Sequence, residues 1–193
     1  ETVGITGHIR PDGDCIGSCM GLYSYLKDNC PQLDVTVYLE TPGSEFHYIR
    51  DIDKIQTIPD IKKEYDVFFV LDCSRYGVFP SVSAGWNIMN EHFFENAKKT
   101  VCIDHHISNG SFADVNVVDA QASSACEVLY RTLEDDKISK DTAACIYTGI
   151  VHDTGVFKYS STSAQTMLIA GKMMEKGIDY SDIIDNSFYT KTY

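Results

Sequence analysis

The sequence predicts an α/β fold in which a mostly parallel five-stranded sheet lies between helices and is followed by a helical C-terminal segment. Three observations lead to this prediction. Short strand-like segments alternate with helical patterns through the first part of the chain. The continuous apolar run at residues 67–71 is typical of a central parallel strand buried on both faces. The last part of the chain repeats apolar residues at helical spacing.

The beginning of the chain contains two predicted strands around a strong helical pattern. Residues 3–8 form the first strand, and the loop at residues 9–14 contains proline and glycine, which favour a turn. Residues 34–39 alternate in polarity and form the second strand. The pattern then weakens, with a short helix predicted at residues 46–52. The helix that joins the two strands places four apolar residues on one face: Ile16, Met20, Tyr23 and Leu26.

The middle of the chain supplies the remaining strands of the sheet. The apolar run at residues 67–71 is the third strand, and residues 76–85 are loop-like. A helix is predicted at residues 87–97, followed by the fourth strand at residues 100–103. Residues 115–118 are rich in valine and form the predicted fifth strand.

The remainder of the chain is predicted to be helical. Ser123 or Ser124 caps a helix whose apolar face continues to residue 133. Further helices are predicted at residues 141–152, 163–175 and 179–188.

Composition and charge limit the classes of partner. The chain has 193 residues, of which 44% are hydrophobic, so it is long enough and apolar enough to build a core. The net charge is −12, and the 16 Lys and Arg are scattered, so the basic face that binds long nucleic acid is not expected. A small anionic substrate bridged by metal ions is compatible with this acidity, because bound cations invert the local field.

The cysteines and the apolar runs indicate the compartment. No apolar run reaches the roughly 20 residues that a membrane span needs, and no secretory signal pattern is seen. The seven cysteines form an odd set without a CxxC pair, which favours a reducing environment. We therefore expect a cytoplasmic protein without a membrane partner, and we allow for a homodimer.

The most informative stretch follows the fourth predicted strand. Asp104, His105 and His106 come directly after its apolar residues, a position that packing explains poorly. Ionisable groups at the carboxyl end of a strand fit the crevice in which open α/β sheets bind ligands. Adjacent histidines point in different directions and can take two roles, and Asp104 can orient an imidazole.

Matching groups follow the first strand. His8, Asp12 and Asp14 lie on one loop, and the glycine between the two acids lets their carboxylates face different cations. An alternative is an ordinary Asp/Gly turn that caps the next helix. The amino end of that helix can also attract an anion through its N–H groups.

Two further acids stand at the ends of elements. Asp72 follows the third strand, where it can also cap a turn or bind a ribose hydroxyl. Asp153 stands where a helix breaks at Gly155, and capping is the alternative role for it. Clustered carboxylates repel one another, and divalent cations remove this repulsion. Carboxylate and imidazole donors together predict two divalent cations, with Mn²⁺ favoured and Mg²⁺, Co²⁺ and zinc left open. The other histidines are interpreted as surface or loop residues: His47, His92 and His152.

These motifs together resemble the DHH phosphoesterase family. The resemblance rests on HIRPDGDCIGS at residues 8–18, LDCS at 71–74, DHH at 104–106 and DTG at 153–155, with ASSACE at 122–127 as a serine-rich helix start. The PDGD form of the first motif is most similar to the branch that acts on short oligoribonucleotides and 3′-phosphoadenosine 5′-phosphate.

The resemblance implies roles for individual residues. One metal is expected to bind His8, Asp12 and Asp72, and the other Asp14, Asp72, His105 and Asp153. Asp72 would bridge the metals and Asp104 would orient the histidines, so both count with His106 as catalytic residues. His106, Ser124 and Arg10 are expected to contact the substrate.

The resemblance also implies a domain organisation and a function. Residues 1–188 are expected to form the catalytic domain, and residues 189–193 to begin a linker to a C-terminal substrate-binding domain outside this chain. The predicted function is hydrolysis of small nucleotides. Alternatives are a manganese-dependent inorganic pyrophosphatase, a cyclic-dinucleotide phosphodiesterase, and a non-catalytic nucleotide sensor on the same scaffold.

Overall fold

The computed structural model describes residues 1–58, 60, 62–74 and 86–189. The loop predicted at residues 76–85 and residues 190–193 of the predicted linker lie outside the described residues. All seven cysteines are free, and only Cys30 among them is not fully buried. In the described part of the chain, none of the helices combines the length and the apolar character needed to cross a membrane.

Five strands form one sheet, and every neighbouring pair is parallel, which confirms the predicted fold class. The order across the sheet is β2-β1-β3-β4-β5. The strands are β1 (Thr2–Thr6), β2 (Asp34–Tyr38), β3 (Val67–Leu71), β4 (Lys99–Asp104) and β5 (Val115–Val118).

Helices cover both faces of the sheet and extend into a separate helical layer. The helices are α1 (Gly13–Asn29), α2 (Trp86–Asn96), α3 (Ala125–Tyr130), α4 (Lys140–Asp153), α5 (Ala164–Glu175) and α6 (Tyr180–Ile183), and α6 continues as a π-helix (Ile184–Tyr189).

The alternation of side chains along β3 separates the core into two faces. Phe68 packs with Phe93 of α2 in an aromatic cluster on one face. Leu71 belongs to the core on the opposite face, where Ile16 of α1 and Leu129 of α3 are fully buried. A third cluster joins α3, α4, α5 and α6, so that the helical C-terminal segment has a core of its own.

Three predicted elements differ from the structure. The short helix predicted at residues 46–52 is replaced by two single turns of 3₁₀-helix, Ser44–Phe46 and Ile52–Lys54. Helix α3 ends at Tyr130, although the apolar pattern continues to residue 133. The last predicted helix changes to π-helical hydrogen bonding after Ile183. Local periodicity does not include tertiary packing, so the ends of elements can differ from the predicted ones by a few residues.

The strand order determines where a ligand site is expected. The chain passes from β1 to β2 on one side and then returns to place β3 on the other side of β1. Open α/β sheets bind ligands outside the carboxyl ends of the strands at such a switch point. His8 follows β1 and Asp72 follows β3, so both lie at this crevice.

Candidate metal centre

His8 is held at the crevice with one ring nitrogen directed towards two carboxylates. Its Nδ1 donates to the carbonyl of Ile9 at 2.7 Å, which leaves Nε2 as the free nitrogen. Nε2 lies 3.3 Å from Asp72 Oδ2 and 3.7 Å from Asp12 Oδ1. Burial acts to lower the pKa of His8, but hydrogen bonds to Asp12 and Asp72 outweigh it and raise the pKa overall.

The two acids of the PDGD motif face different surroundings. Asp12 caps α1 by accepting from the N–H groups of Asp14 and Cys15, both at 3.1 Å, and its Oδ1 also faces His8. The Asp14 side chain is fully buried and accepts from the N–H groups of Ala125 at 2.6 Å and of the next residue of α3 at 3.0 Å. Asp12 therefore combines the capping role with a place in the crevice, while α3 holds Asp14.

Asp72 occupies the centre of the group. Its backbone is left-handed, with φ of +51°, a conformation that Asp adopts more readily than most residues. Its Oδ1 lies 3.6 Å from both His105 Nε2 and His106 Nδ1, while Oδ2 faces His8. This buried Oδ1 accepts no hydrogen bond from any residue that the structure describes. A buried carboxylate oxygen in this state indicates an additional partner, such as a cation.

His105 joins two further carboxylates to the group. Its Nε2 lies 3.1 Å from Asp153 Oδ2 and 3.8 Å from Asp14 Oδ2. Burial disfavours the charged imidazole, but Asp153 and Asp14 outweigh this effect and raise the pKa of His105 to about 9. Burial and the carboxylates of Asp72 and Asp153 raise the pKa of Asp14 well above its usual range. The carboxylates of Asp14, Asp72 and Asp153 therefore lie close together in one buried region.

The carboxylate of Asp104 orients the His106 ring and the backbone at His105 through hydrogen bonds. The fully buried carboxylate accepts from His106 Nδ1 and from the N–H of His105, both at 2.8 Å, and from Asn109 Nδ2 at 2.7 Å. Burial alone would raise the pKa of Asp104, but the hydrogen bonds from His106 and Asn109 lower it. The hydrogen bond to Asp104 raises the pKa of His106. The half-exposed His106 ring thus keeps Nε2 free for a ligand.

One residue at the end of α4 differs from its sequence-based prediction. His152, interpreted as a surface or loop histidine, is largely enclosed and packs between the rings of Phe46 and Phe188. Its ring also lies against Gly13, where an added Cβ would come within 2.1 Å of it. The prediction was wrong because aromatic partners from two distant segments enclose the ring.

The residues expected to contact a substrate are placed differently from one another. Arg10 is exposed on the β1–α1 loop, with φ of +51°, and its N–H donates to Glu40 Oε2 at 2.6 Å. Ser124 is fully buried, and its hydroxyl accepts from the N–H of Glu127 as the N-cap of α3. This burial gives the predicted substrate contact of Ser124 no support, and we assign its hydroxyl to the helix cap.

Among the described residues, three groups of donor atoms lie close enough to hold an ion, with all atoms of a group within 4.8 Å of one another. They are His8–Cys15–Asp72, Asp72–His105–His106 and Asp14–His105–Asp153.

Two residues that contact the candidate site residues, Asn109 and Cys15, were absent from the sequence prediction. Asn109 carries no local signal beyond its place three residues after His106. Cys15 resembles the other buried cysteines in sequence, and only the fold brings its sulfur to His8.

Comparisons with known proteins agree with the fold and the motifs. A model described as the DHH family, N-terminal domain, matches residues 2–150. A bifunctional oligoribonuclease and PAP phosphatase, NrnA, of Bacillus subtilis is 26% identical over 99% of this chain and 58% of its own length. A probable manganese-dependent inorganic pyrophosphatase of Streptococcus agalactiae is 26% identical over 89% of this chain and 54% of its own length.

Among solved structures, an exopolyphosphatase-related protein of Bacteroides fragilis superposes with a TM-score of 0.83. It is 28% identical, and the match covers 99% of this chain and 57% of that protein. The chain therefore spans a little over half the length of the relatives it matches.

Proposed function

The chain belongs to the DHH phosphoesterase family, and on that premise we propose that it is the catalytic domain of a two-metal enzyme that hydrolyses small nucleotides. The substrates proposed are short oligoribonucleotides and 3′-phosphoadenosine 5′-phosphate. The observation that carries the proposal is the buried Asp72 Oδ1, which lies between two imidazoles and accepts no hydrogen bond from the residues that the structure describes.

The residues at the crevice fit two divalent cations. We assign one position to His8, Asp12 and Asp72, and the other to Asp14, Asp72, His105 and Asp153. Carboxylates shared with imidazoles suit Mn²⁺ better than Mg²⁺, which prefers oxygen and water ligands. The match to a relative named as manganese-dependent supports the same choice, with Co²⁺ and Mg²⁺ as the other ions to test.

Each protein group then has a separate task. Divalent cations bound there supply Lewis-acid polarisation of a phosphoryl oxygen and lower the pKa of water. The Ile9 carbonyl keeps His8 Nε2 free as a ligand atom, because it accepts from Nδ1. Asp104 accepts a hydrogen bond from Nδ1 of His106, which leaves Nε2 of His106 free. Nε2 can then bind a substrate phosphate and give a proton to the leaving oxygen.

The charge of the chain supports a small substrate. Sixteen basic against 28 acidic residues give a net charge of −12, which disfavours binding of a long polyanion. A single phosphate at two cations needs no such track. The relative from Bacillus subtilis is named for oligoribonuclease and PAP phosphatase activity, which agrees with a small nucleotide as substrate.

Inorganic pyrophosphate is the second candidate substrate, because a relative of similar identity is named as a pyrophosphatase. A panel assay with Mn²⁺ on the full-length protein separates the two proposals. We expect the highest kcat/KM on RNA of two to five nucleotides or on 3′-phosphoadenosine 5′-phosphate, with little turnover of long RNA. A preference for pyrophosphate would favour the second candidate, and preference for long RNA would contradict both.

A further inference from the structure

The side chain of Cys15 lies at the first of the two proposed metal positions. Cys15 is in the first turn of α1 and is fully buried. Its sulfur, a ring nitrogen of His8 and a carboxylate oxygen of Asp72 lie within 4.8 Å of one another. Cys15 therefore stands beside two of the three residues assigned to that position.

The backbone around Cys15 is shaped to accept the sulfur at this point. A Cβ added to Gly7 would come within 2.3 Å of Cys15 Sγ and 3.0 Å of the Leu71 carbonyl oxygen. The sulfur thus occupies the space beside the end of β1, where a side chain on residue 7 would exclude it. Sγ also lies 3.9 Å from the His8 carbonyl oxygen and hydrogen-bonds to Cys19, and both are weak contacts that a metal ion could replace.

The two proposed metal positions consequently differ in donor chemistry. The group around Asp14, His105 and Asp153 offers only oxygen and nitrogen atoms. The group around His8 and Asp72 offers sulfur in addition. Thiolate ligands favour Zn²⁺ and other thiophilic ions, whereas carboxylate and imidazole donors also suit Mn²⁺.

We propose that Cys15 is a ligand of the first metal position and gives that position a preference for thiophilic ions such as Zn²⁺ and Cd²⁺. The inference rests on the proposed two-metal function. As the sulfur–metal bond forms, the Cys15 S–H bond breaks and its proton passes to solvent, so no oxidant or reductant is needed. Asp72 turns Oδ2 towards this group, 3.3 Å from His8 Nε2, so the position also has a carboxylate oxygen beside the sulfur.

The structure supplies a matched control in Cys19. It lies one turn further along α1, is also fully buried, and is absent from the three donor groups found among the described residues. Replacing Cys19 by Ala removes a buried thiol that hydrogen-bonds to Cys15 but leaves the proposed ligand itself in place. A difference between the Cys15 and Cys19 variants therefore reports ligation and not the general loss of a buried sulfur.

Cadmium titration of the purified, reduced protein, without substrate, tests the proposal. Cd²⁺ bound by a thiolate produces an ultraviolet charge-transfer band, which oxygen and nitrogen ligands do not. We expect the wild-type protein and Cys19→Ala to show the band and Cys15→Ala to lack it. Loss of the ligand should weaken Cd²⁺ binding by about tenfold or more, with a much smaller change for Mn²⁺. Cys15→Ser, which is closer in size, repeats the test if the alanine variant fails to fold.

The outcomes separate this inference from the proposed function. If wild-type protein binds two equivalents of Mn²⁺ but shows no Cd²⁺ band, the sulfur ligand is wrong and the two-metal centre stands. A band that persists in both Cys15 variants also overturns the inference. If the wild-type protein binds neither ion, the proposed two-metal function fails as well.

Discussion

At the scale of single residues, Asp72 tests the bridging assignment. Asp72→Asn keeps the size of the side chain and tolerates the left-handed backbone at φ of +51°, so it removes the charge alone. Because the carboxylate is assigned to both cations, we expect the variant to lose both equivalents of Mn²⁺ and to lower kcat/KM by at least ~100-fold. Metal analysis after gel filtration measures the stoichiometry.

Asp66→Asn is a suitable control for a carboxylate distant from the crevice. Asp66 is paired with Lys98 near the start of β3, at the opposite end of the sheet. The Asp66→Asn variant should keep both equivalents of Mn²⁺. If Asp72→Asn retains two equivalents of Mn²⁺, the bridging role is wrong.

The two adjacent histidines should separate metal binding from substrate binding. His105 faces three carboxylates through Nε2, whereas His106 is held by Asp104 and half exposed. We expect His105→Ala to lose one equivalent of Mn²⁺, and His106→Ala to keep both and lose turnover. Metal content and kcat are measured on the same preparations. Equal metal loss in both variants would show that the pair is misassigned.

Sequence motifs could predict the acids and imidazoles of this centre, but not everything that holds them. His8, Asp72 and His105 stand at strand ends, which local patterns reveal. The enclosure of His152 depends on rings from distant segments. The contact of Asn109 with Asp104 also depends on how the loop folds, and no periodicity signals it.

At the scale of elements, α3 holds Asp14 through the N–H groups at its first turn. Ser124→Ala removes the cap of this helix and should lower the free energy of unfolding by about 1 kcal/mol. We expect weaker Mn²⁺ binding as a consequence, because the donors to Asp14 lose their support. Denaturant unfolding and metal titration measure the two effects.

Ser139→Ala provides the comparison, because Ser139 caps α4 at the end remote from Asp153. It should lower stability by a similar amount without weakening Mn²⁺ binding. A Ser124→Ala variant with unchanged stability and a raised KM would restore the substrate contact predicted for Ser124.

The packing of α1 against the end of α4 requires a glycine at residue 13. Gly13→Ala would place a Cβ within 2.1 Å of the enclosed His152 ring, so we expect a loss of about 1–3 kcal/mol in unfolding free energy. Gly171 is a matched control, because it lies inside α5, where an added Cβ meets no described atom within 4 Å apart from its chain neighbours and the helix backbone. Gly171→Ala should stabilise by about 0.5–1 kcal/mol. Thermal denaturation should therefore show a lower melting temperature for Gly13→Ala and a higher one for Gly171→Ala.

The elements themselves could be predicted where one local signal dominates. The strands β3 and β5 have the predicted bounds, because unbroken apolar or valine-rich runs define them. Helix α5 begins after Ser163, which forms a capping box with Thr166. The 3₁₀ turns near Phe46 could not be predicted, because burial of that ring against the core determines them.

At the scale of the whole molecule, the net charge predicts how activity depends on substrate length. A chain with charge −12 gains little from additional phosphates, so we expect kcat/KM to fall as RNA extends beyond about five nucleotides. The fall should be similar at low and moderate salt. A rate that increases with length, or processive degradation of long RNA, would contradict this expectation.

Metal binding should also stabilise the fold as a whole, because ions that bind only the folded state add to its stability. At a free Mn²⁺ concentration of 100 times the Kd, one site contributes about 2.7 kcal/mol. For a chain of this size we expect the melting temperature to rise by about 5–10 °C. Asp72→Asn should show no such rise. An equal rise in the variant would place the stabilising ion elsewhere.

The central claim is that two cations share Asp72 at the β1–β3 switch point. Anomalous diffraction from Mn²⁺-soaked crystals tests it most directly, because the signal locates the metal independently of activity. The account predicts two anomalous peaks, one beside His8 and Asp12, the other beside His105 and Asp153, with Asp72 contacting both. A single peak, or two peaks that do not share Asp72, would contradict it.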